Sequence, residues 1–181
     1  MRLVTAHLFS SIDGVVSAPH EFQGDAFDDD LGAMMGEAIA RQDAIVLGRV
    51  TYQEWAAYWP TASRDGEFAE FINGTPKHVA STTLAPELEW ENSSLIEGDL
   101  VGFVEGLKQQ DGGDIAVQGS ISVVRRLLVA GVLDRLTLTV HPVFAGRGTR
   151  LFGDEGPLTR VSLLESRTTA KGNVVSVYGP R

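Results

Sequence analysis

Asp114-Ile115-Ala116-Val117-Gln118-Gly119-Ser120 is the stretch on which the fold turns. Its apolar core is the length of a strand covered on both faces. The chain then breaks into Gln-Gly-Ser. Immediately afterwards Ile121, Val124, Leu127 and Leu128 recur at helical spacing, until Gly131 ends the pattern. A strand that passes through a glycine turn straight into an amphipathic helix is the unit from which parallel α/β sheets are built.

The same grammar extends outward in both directions. Residues 2–10 read as a strand buried on both faces, and residues 11–30 as a Gly- and Asp-rich loop. A helix is expected over 33–41, with Asp28, Asp29 and Asp30 at its favourable N-terminal end. Ala44-Ile45-Val46-Leu47 is a second apolar run ending at Gly48-Arg49, and a helix over 51–58 follows until Trp59-Pro60 stops it. A short helix over 65–72, a strand at 77–80 and a short strand near Leu95-Ile96 come next. Asp99 is placed to cap a helix over 100–109, which Asp111-Gly112-Gly113 ends. Past the opening stretch, residues 135–143 alternate, with Leu136, Leu138 and Val140 on one face and Thr137, Thr139 and His141 on the other. Two last strands, 160–169 and 173–179, flank the turn Lys171-Gly172-Asn173. The order implies one α/β domain spanning 1–181, its sheet mostly parallel with an antiparallel C-terminal edge hairpin.

Composition narrows the function. The 181 residues suit one domain large enough to fold without staples, and the chain has no cysteine. Disulfides, thiolate zinc sites and cysteine nucleophiles are therefore excluded. A formal charge of −9 argues against general binding to nucleic acid or anionic membrane. The first ten residues do not read as a signal peptide and no run is long enough to span a bilayer, so the cytoplasm is the expected compartment. His7, His20, His78 and His141 show no metal-ligand spacing, and no serine sits in a G-x-S-x-G elbow. Trp55, Tyr58 and Trp59 lie at helical spacing and read first as core, with one wall of a cleft as the other option.

Three places combine a strand end with glycine and polar groups: Ser11-Ile12-Asp13-Gly14, Gly48-Arg49-Val50-Thr51 and Gln118-Gly119-Ser120. Ligands of open α/β sheets bind beyond the carboxyl ends of the strands. Glycine allows close approach there, and a helix's first turn offers unpaired N–H donors to phosphate. Arg49 would add a permanently charged fork. Two such turns could hold the two ends of a dinucleotide pyrophosphate, although no G-x-G-x-x-G fingerprint follows a strand.

Ser11-Ile12-Asp13-Gly14, Leu47-Gly48-Arg49-Val50-Thr51-Tyr52 and the run from Ile115 through Leu133-Asp134 to His141-Pro142-Val143-Phe144-Ala145-Gly146-Arg147-Gly148 and Leu151-Phe152 resemble the reductase domain of riboflavin biosynthesis, the RibD C-terminal domain, and its stand-alone relatives. They are more distantly similar to dihydrofolate reductase. The resemblance implies a dihydrofolate-reductase-like three-layer α/β/α fold, NADPH as hydride donor, a small heterocyclic substrate and commonly a homodimer. The activity implied resembles that of 5-amino-6-(5-phosphoribosylamino)uracil reductase. The alternatives are a dihydrofolate or other pterin reductase, or a non-catalytic NADP-binding protein of the same fold.

Carried over by position, the resemblance puts Ser11 and Gly14 near the nicotinamide. It gives Gly48, Arg49, Val50 and Thr51 to the pyrophosphate and ribose phosphate, and Ser81 and Thr82 to the adenosine end. Gln118, Gly119, Ser120 and Ile121 cover the pyrophosphate from the other side. Ser120 stands where the family more often has a second glycine, and no arginine follows Ser81, so phosphate discrimination rests on Arg49. The acid that binds pterin in dihydrofolate reductase has no secure counterpart. Asp29, Asp30 and Glu37 read better as helix-end and surface residues, which leaves Asp13 as the preferred candidate for substrate contact or proton relay, with water as the other proton source. The zinc deaminase half of bifunctional riboflavin enzymes needs cysteine ligands, so no such half is expected in this chain.

Overall fold

Alternation in the first strand sets the layers. In β1 (Val4–Ser10) the residues Val4, Ala6, Leu8 and Ser10 are buried, while Thr5, His7 and Phe9 on the other face are half-buried. The second face is therefore covered less completely than the apolar run suggests. The structure, a computed structural model, describes residues 1–62, 66–153 and 156–181. After β1 come α1 (Asp29–Ile39), β2 (Gln42–Gly48), α2 (Arg49–Ala56), α3 (Gly66–Gly74), β3 (Lys77–Ala80), β4 (Ser93–Leu95) and α4 (Leu100–Lys108). β5 (Asp114–Gln118), α5 (Ile121–Val129), β6 (Arg135–Val140), β7 (Val161–Thr168) and β8 (Val174–Pro180) complete the chain.

The sheet has eight strands in the order β4-β3-β2-β5-β1-β6-β8-β7. From β4 to β6 every neighbouring pair is parallel. β8 runs antiparallel to both β6 and β7, so the parallel sheet ends in the expected antiparallel hairpin. Thr169 N–H bonds to the Asn173 carbonyl at 3.0 Å, and Gly172 takes φ +80° in the turn, a conformation that favours glycine.

Element ends differ from the sequence expectation in physically simple ways. Asp28 is the N-cap of α1, accepting the Leu31 N–H at 3.0 Å, so the helix begins at Asp29 rather than 33. α2 begins at once after Gly48 and stops at Ala56, and Trp59–Thr61 form a separate 3-10 turn started by proline. The alternating run at 135–143 leaves the sheet at Val140, before His141. Asp99 caps α4 as expected, accepting from Gly102 N at 2.8 Å. Of the helix expected over 65–72, position 65 lies outside the described residues.

Helices cover both faces. On one, Val4, Ala6, Leu8, Val46, Ile115 and Val117 pack against Val104 and Leu107 of α4 and Val124 and Leu127 of α5. On the other, Ile45, Leu47, Val79 and Ala116 pack against Tyr52 of α2, Ile72 of α3 and Trp90. Each fully buried Val, Leu or Ile among them contributes roughly 1.5–3 kcal/mol. Trp55 and Trp59 are half-buried and pack with Phe68 against this second cluster, whereas Tyr58, expected with them in the core, is exposed. β2 supplies both layers, and its residues Ala44 to Gly48 are all buried.

The second layer is closed by a buried lysine. Lys77 is fully buried, and its Nζ donates to the carbonyls of Ile72 (2.9 Å), Asn73 (3.1 Å) and Thr75 (2.9 Å) while lying 4.6 Å from the Trp90 ring centre. Burial pushes its pKa down to about 8, against a raising effect of Glu91. At neutral pH it is still an ammonium, as its carbonyl partners require. Lys77→Met keeps most of the volume but strands those acceptors. We expect a loss of about 2–3 kcal/mol in urea unfolding with an unchanged m value.

Candidate functional site

Three of the turns singled out in the sequence end neighbouring parallel strands, β2, β5 and β1. Register places Val46 opposite Val117, so Gly48 and Gly119 leave the sheet side by side. Gly48 N–H donates to Ser120 Oγ at 2.5 Å. The Ser120 hydroxyl donates in turn to Thr51 Oγ1 at 2.9 Å, and Ser120 N–H reaches the same oxygen at 3.1 Å. Glycine is required by this closeness. A Cβ on Gly119, which has φ +67°, would meet Thr51 Cγ2 at 2.8 Å, and one on Gly48 would meet Ser120 Oγ at 3.1 Å. Gly48, Thr51, Gly119 and Ser120 thus form one hydrogen-bonded unit.

Neither helix that starts here has a side-chain cap. Gly48 is the N-cap of α2 and Ser120 that of α5, and the Ser120 hydroxyl is committed to the neighbouring turn. The first-turn N–H groups at Arg49, Val50, Ile121 and Ser122 have no partner inside their own helices. Two positive helix ends lie together at the carboxyl edge of the parallel strands, α2 over one face and α5 over the other, which suits an anion. Arg49 is exposed and bonded to Gln53 at 2.8 Å, and Val50 is exposed beside it. Gly48 pairs with Ala80 across to β3, so Ser81 emerges next to Arg49. The Ser81 hydroxyl caps its own turn, accepting from Thr83 N and Leu84 N at 3.1 Å each, and Thr82 is exposed. Gln118 faces Gln42 at 3.5 Å.

At the end of β1, Ser11 is buried. Its hydroxyl donates to Asp13 Oδ1 at 2.7 Å and accepts Val15 N–H at 3.0 Å, while Gly14 takes φ +82°. Asp13 also accepts the N–H groups of Ala145 and Gly146, each at 2.9 Å, and Arg150 Nε donates to its backbone carbonyl. These bonds, that of Ser11 first, hold its pKa down to about 2. A carboxylate so engaged ties the 11–17 loop to the 145–150 loop. It is poorly suited to carry a proton near neutral pH. Between the same loops lies a cavity of about 630 Å³ lined by Ser17, Ala18, Glu21, Phe22, Ala145, Arg147 and Gly148.

Asp28 and Asp30 at the start of α1 are occupied too. Asp28 Oδ2 accepts Lys171 N–H and Asp30 Oδ2 accepts Ala170 N–H, each at 2.9 Å, so both anchor the hairpin turn. Asp29 lies in the first turn, and Glu37 is exposed, with its charge acting on Arg167.

What the sequence reading missed is a polar strip on the sheet itself. Pairing puts Thr5, His7 and Phe9 on one face with Thr137 and Thr139 of β6. Thr139 and His141 are completely buried. His7 Nε2 lies 2.7 Å from Thr139 Oγ1, and His141 Nδ1 lies 2.7 Å from Asn173 Oδ1. Phe9 stacks on His141 with ring centres 5.4 Å apart, and Phe22 approaches it at 6.1 Å. The Thr/His alternation of 135–143 was visible, but alternation says nothing about what covers the polar face.

Burial, and then the nearby His141, lower the pKa of His7 to about 4 from 6.5. Between these values the unfolded chain binds a proton that the folded one does not. Stability should therefore rise with pH from about 4 to 6.5 and level off above, by up to about 3 kcal/mol from this group. Denaturation midpoints measured across that window for wild type and His7→Gln test this, and the variant should show a shallower slope.

Comparison with known proteins fits this geometry. The model of the RibD C-terminal domain matches residues 2–175. Uncharacterized protein YyaP of Bacillus subtilis is 26% identical over 98% of this chain and 94% of its own length. The crystal structure of a putative riboflavin biosynthesis protein from Shewanella sp. PV-4 superposes with TM-score 0.72 at 18% identity, covering 99% of both chains. Dihydrofolate reductase from Enterococcus faecalis, complexed with NADP(H) and RAB-propyl, superposes with TM-score 0.65 at 15% identity over 98% of this chain and 95% of that one. No helix among the described residues is long and apolar enough to cross a membrane. With the doubly covered sheet, its antiparallel edge and a family match over nearly the whole length, the chain belongs to the RibD C-terminal domain family.

Proposed function

We propose that this chain is an NADPH-dependent reductase of a small heterocyclic substrate. The observation that carries the reading is the pair of uncapped helix N-termini held side by side by Ser120. Such an arrangement suits a pyrophosphate, with N–H donors of α2 on one side and of α5 on the other. Arg49 stands at the first turn of α2, where a 2′-phosphate on the adenosine ribose would meet it, and Ser81 and Thr82 flank that end. The nicotinamide end would then lie toward Ser11 and Gly14. When bound, the reduced nicotinamide supplies the hydride.

This chain's own contribution is binding, orientation and exclusion of water. The helix ends fix the phosphates. The Ser11–Asp13 bond and the Asp13 contacts to Ala145 and Gly146 hold the two loops that border the cavity. Asp13 is proposed as a positioning residue, which departs from its expected role in substrate contact or proton relay, because its carboxylate is engaged by Ser11, Ala145 and Gly146 and held strongly acidic. Water is the better proton source. The engagement of Asp28 and Asp30 with the hairpin also supports a non-catalytic NADP-binding protein as the second reading.

NADPH at a hundred times its Kd should stabilise the fold by about 2.7 kcal/mol, read as a raised melting temperature. Arg49→Ala should weaken NADPH roughly ten- to a hundredfold and NADH much less, the scale of one charge-assisted hydrogen bond. Equal losses for both would remove Arg49 from the 2′-phosphate role. Tight NADPH binding without absorbance loss on any heterocyclic acceptor would favour the binding protein.

A further inference from the structure

Among the described residues, two buried polar atoms on and beside the polar strip have no partner, Oγ1 of Thr5 and Nε2 of His141, and the His141 side chain is fully buried. The surrounding bonds decide which ring nitrogen carries the proton. Asn173 Nδ2 donates to the Ala26 carbonyl at 2.7 Å and to Thr169 Oγ1 at 2.8 Å. A carbonyl can only accept, so the amide orientation is fixed and Asn173 Oδ1 is the atom facing His141. His141 Nδ1 must therefore be the donor in the 2.7 Å bond. In the neutral ring this leaves Nε2 as a lone pair without a donor. An unmade hydrogen bond of this kind costs about 1–3 kcal/mol, so its retention calls for an explanation.

The position of the atom supplies one. His141 N–H bonds to the Ser10 carbonyl at 2.8 Å, so the ring stands beside the carboxyl end of β1, next to Ser11. Phe9 stacks on one side, and Phe22 covers it from the 11–28 connection. Phe22 also lines the cavity of about 630 Å³ between the two loops. Asn173 is already bonded at Nδ1 of the ring, and the rings packed on His141 are those of Phe9 and Phe22, which offer a water at Nε2 no hydrogen bond. We infer that His141 recognises the molecule to be reduced, its Nε2 accepting a hydrogen bond from a ring N–H of a flat heterocycle that displaces the Phe22 ring. The inference rests on the proposed reductase reading and adds the residue that reads the substrate. The heterocycle takes the place of Phe22 beside His141, and its N–H supplies the donor that Nε2 lacks. Asp28 and Asp30 at the start of α1 are engaged with the hairpin.

The test uses the full chain labelled with ¹⁵N at histidine and saturated with NADP⁺, with uracil and 1,3-dimethyluracil as probes. The two share a ring and its carbonyls and differ in the ring N–H groups. Millimolar uracil should move the His141 Nε2 resonance, and dimethyluracil should not. His141→Phe should keep NADPH protection against heat and bind uracil roughly tenfold more weakly. An Nε2 resonance unmoved by uracil, or moved equally by both probes, overturns the inference while the cofactor reading stands. Failure of NADPH to protect the wild type overturns both. If the variant does not fold, the wild-type spectra decide alone.

Discussion

The Ser120 hydroxyl joins two turns that lie far apart in sequence, accepting from Gly48 and donating to Thr51. It can do so because β2 and β5 run parallel and in register, so that their following helices begin at the same height. An antiparallel pairing would put one helix end at the opposite edge of the sheet. The helix ends are then two partial positive charges facing one space, and the bound ends of the turns leave the outer N–H groups free for a ligand. The absence of a Cβ at Gly119 lets Thr51 approach closely enough to complete the unit.

A second convergence lies one strand over. Asp13 spends its charge on Ser11, Ala145 and Gly146, which fastens the loop after β1 to the loop after β6. The cavity between those loops borders Phe22, and behind Phe22 stands His141. The central strands thus carry two kinds of surface on the same face. Toward β2 and β3 it is apolar and sealed by α2 and α3, while toward β1 and β6 it is a strip of Thr, His and Phe. The sealed part is a core; the polar part has the character of a cleft floor.

Much of this was legible in the residues. The shift from strand to helix period at Gly119 placed β5 and α5, and the same grammar placed β2 and α2, because parallel strands buried on both faces read as continuous apolar runs. The edge hairpin was announced by Lys171-Gly172-Asn173. The juxtaposition of Gly48 with Ser120 was not legible from spacing alone, since strand order is a tertiary fact; the resemblance supplied it. The Ser120 hydroxyl bond explains a residue that had looked only like a departure from a glycine pair. Asp13 and Asp30 illustrate the limit. A carboxylate in a loop or at a helix start looks available until its partners are known, and here those partners are backbone N–H groups more than a hundred residues away. His141 shows the reverse, a histidine without metal-ligand spacing whose Nε2 is left without a bond.

The central claim is that the two helix N-termini grip one pyrophosphate together. Titrating ¹⁵N-labelled protein with NADP⁺ and following the backbone amides reads it most directly. The account requires the amides of Arg49, Val50, Ile121 and Ser122 to shift along a single binding isotherm. Shifts confined to one of the two helices, or scattered over the opposite edge of the sheet, would contradict it.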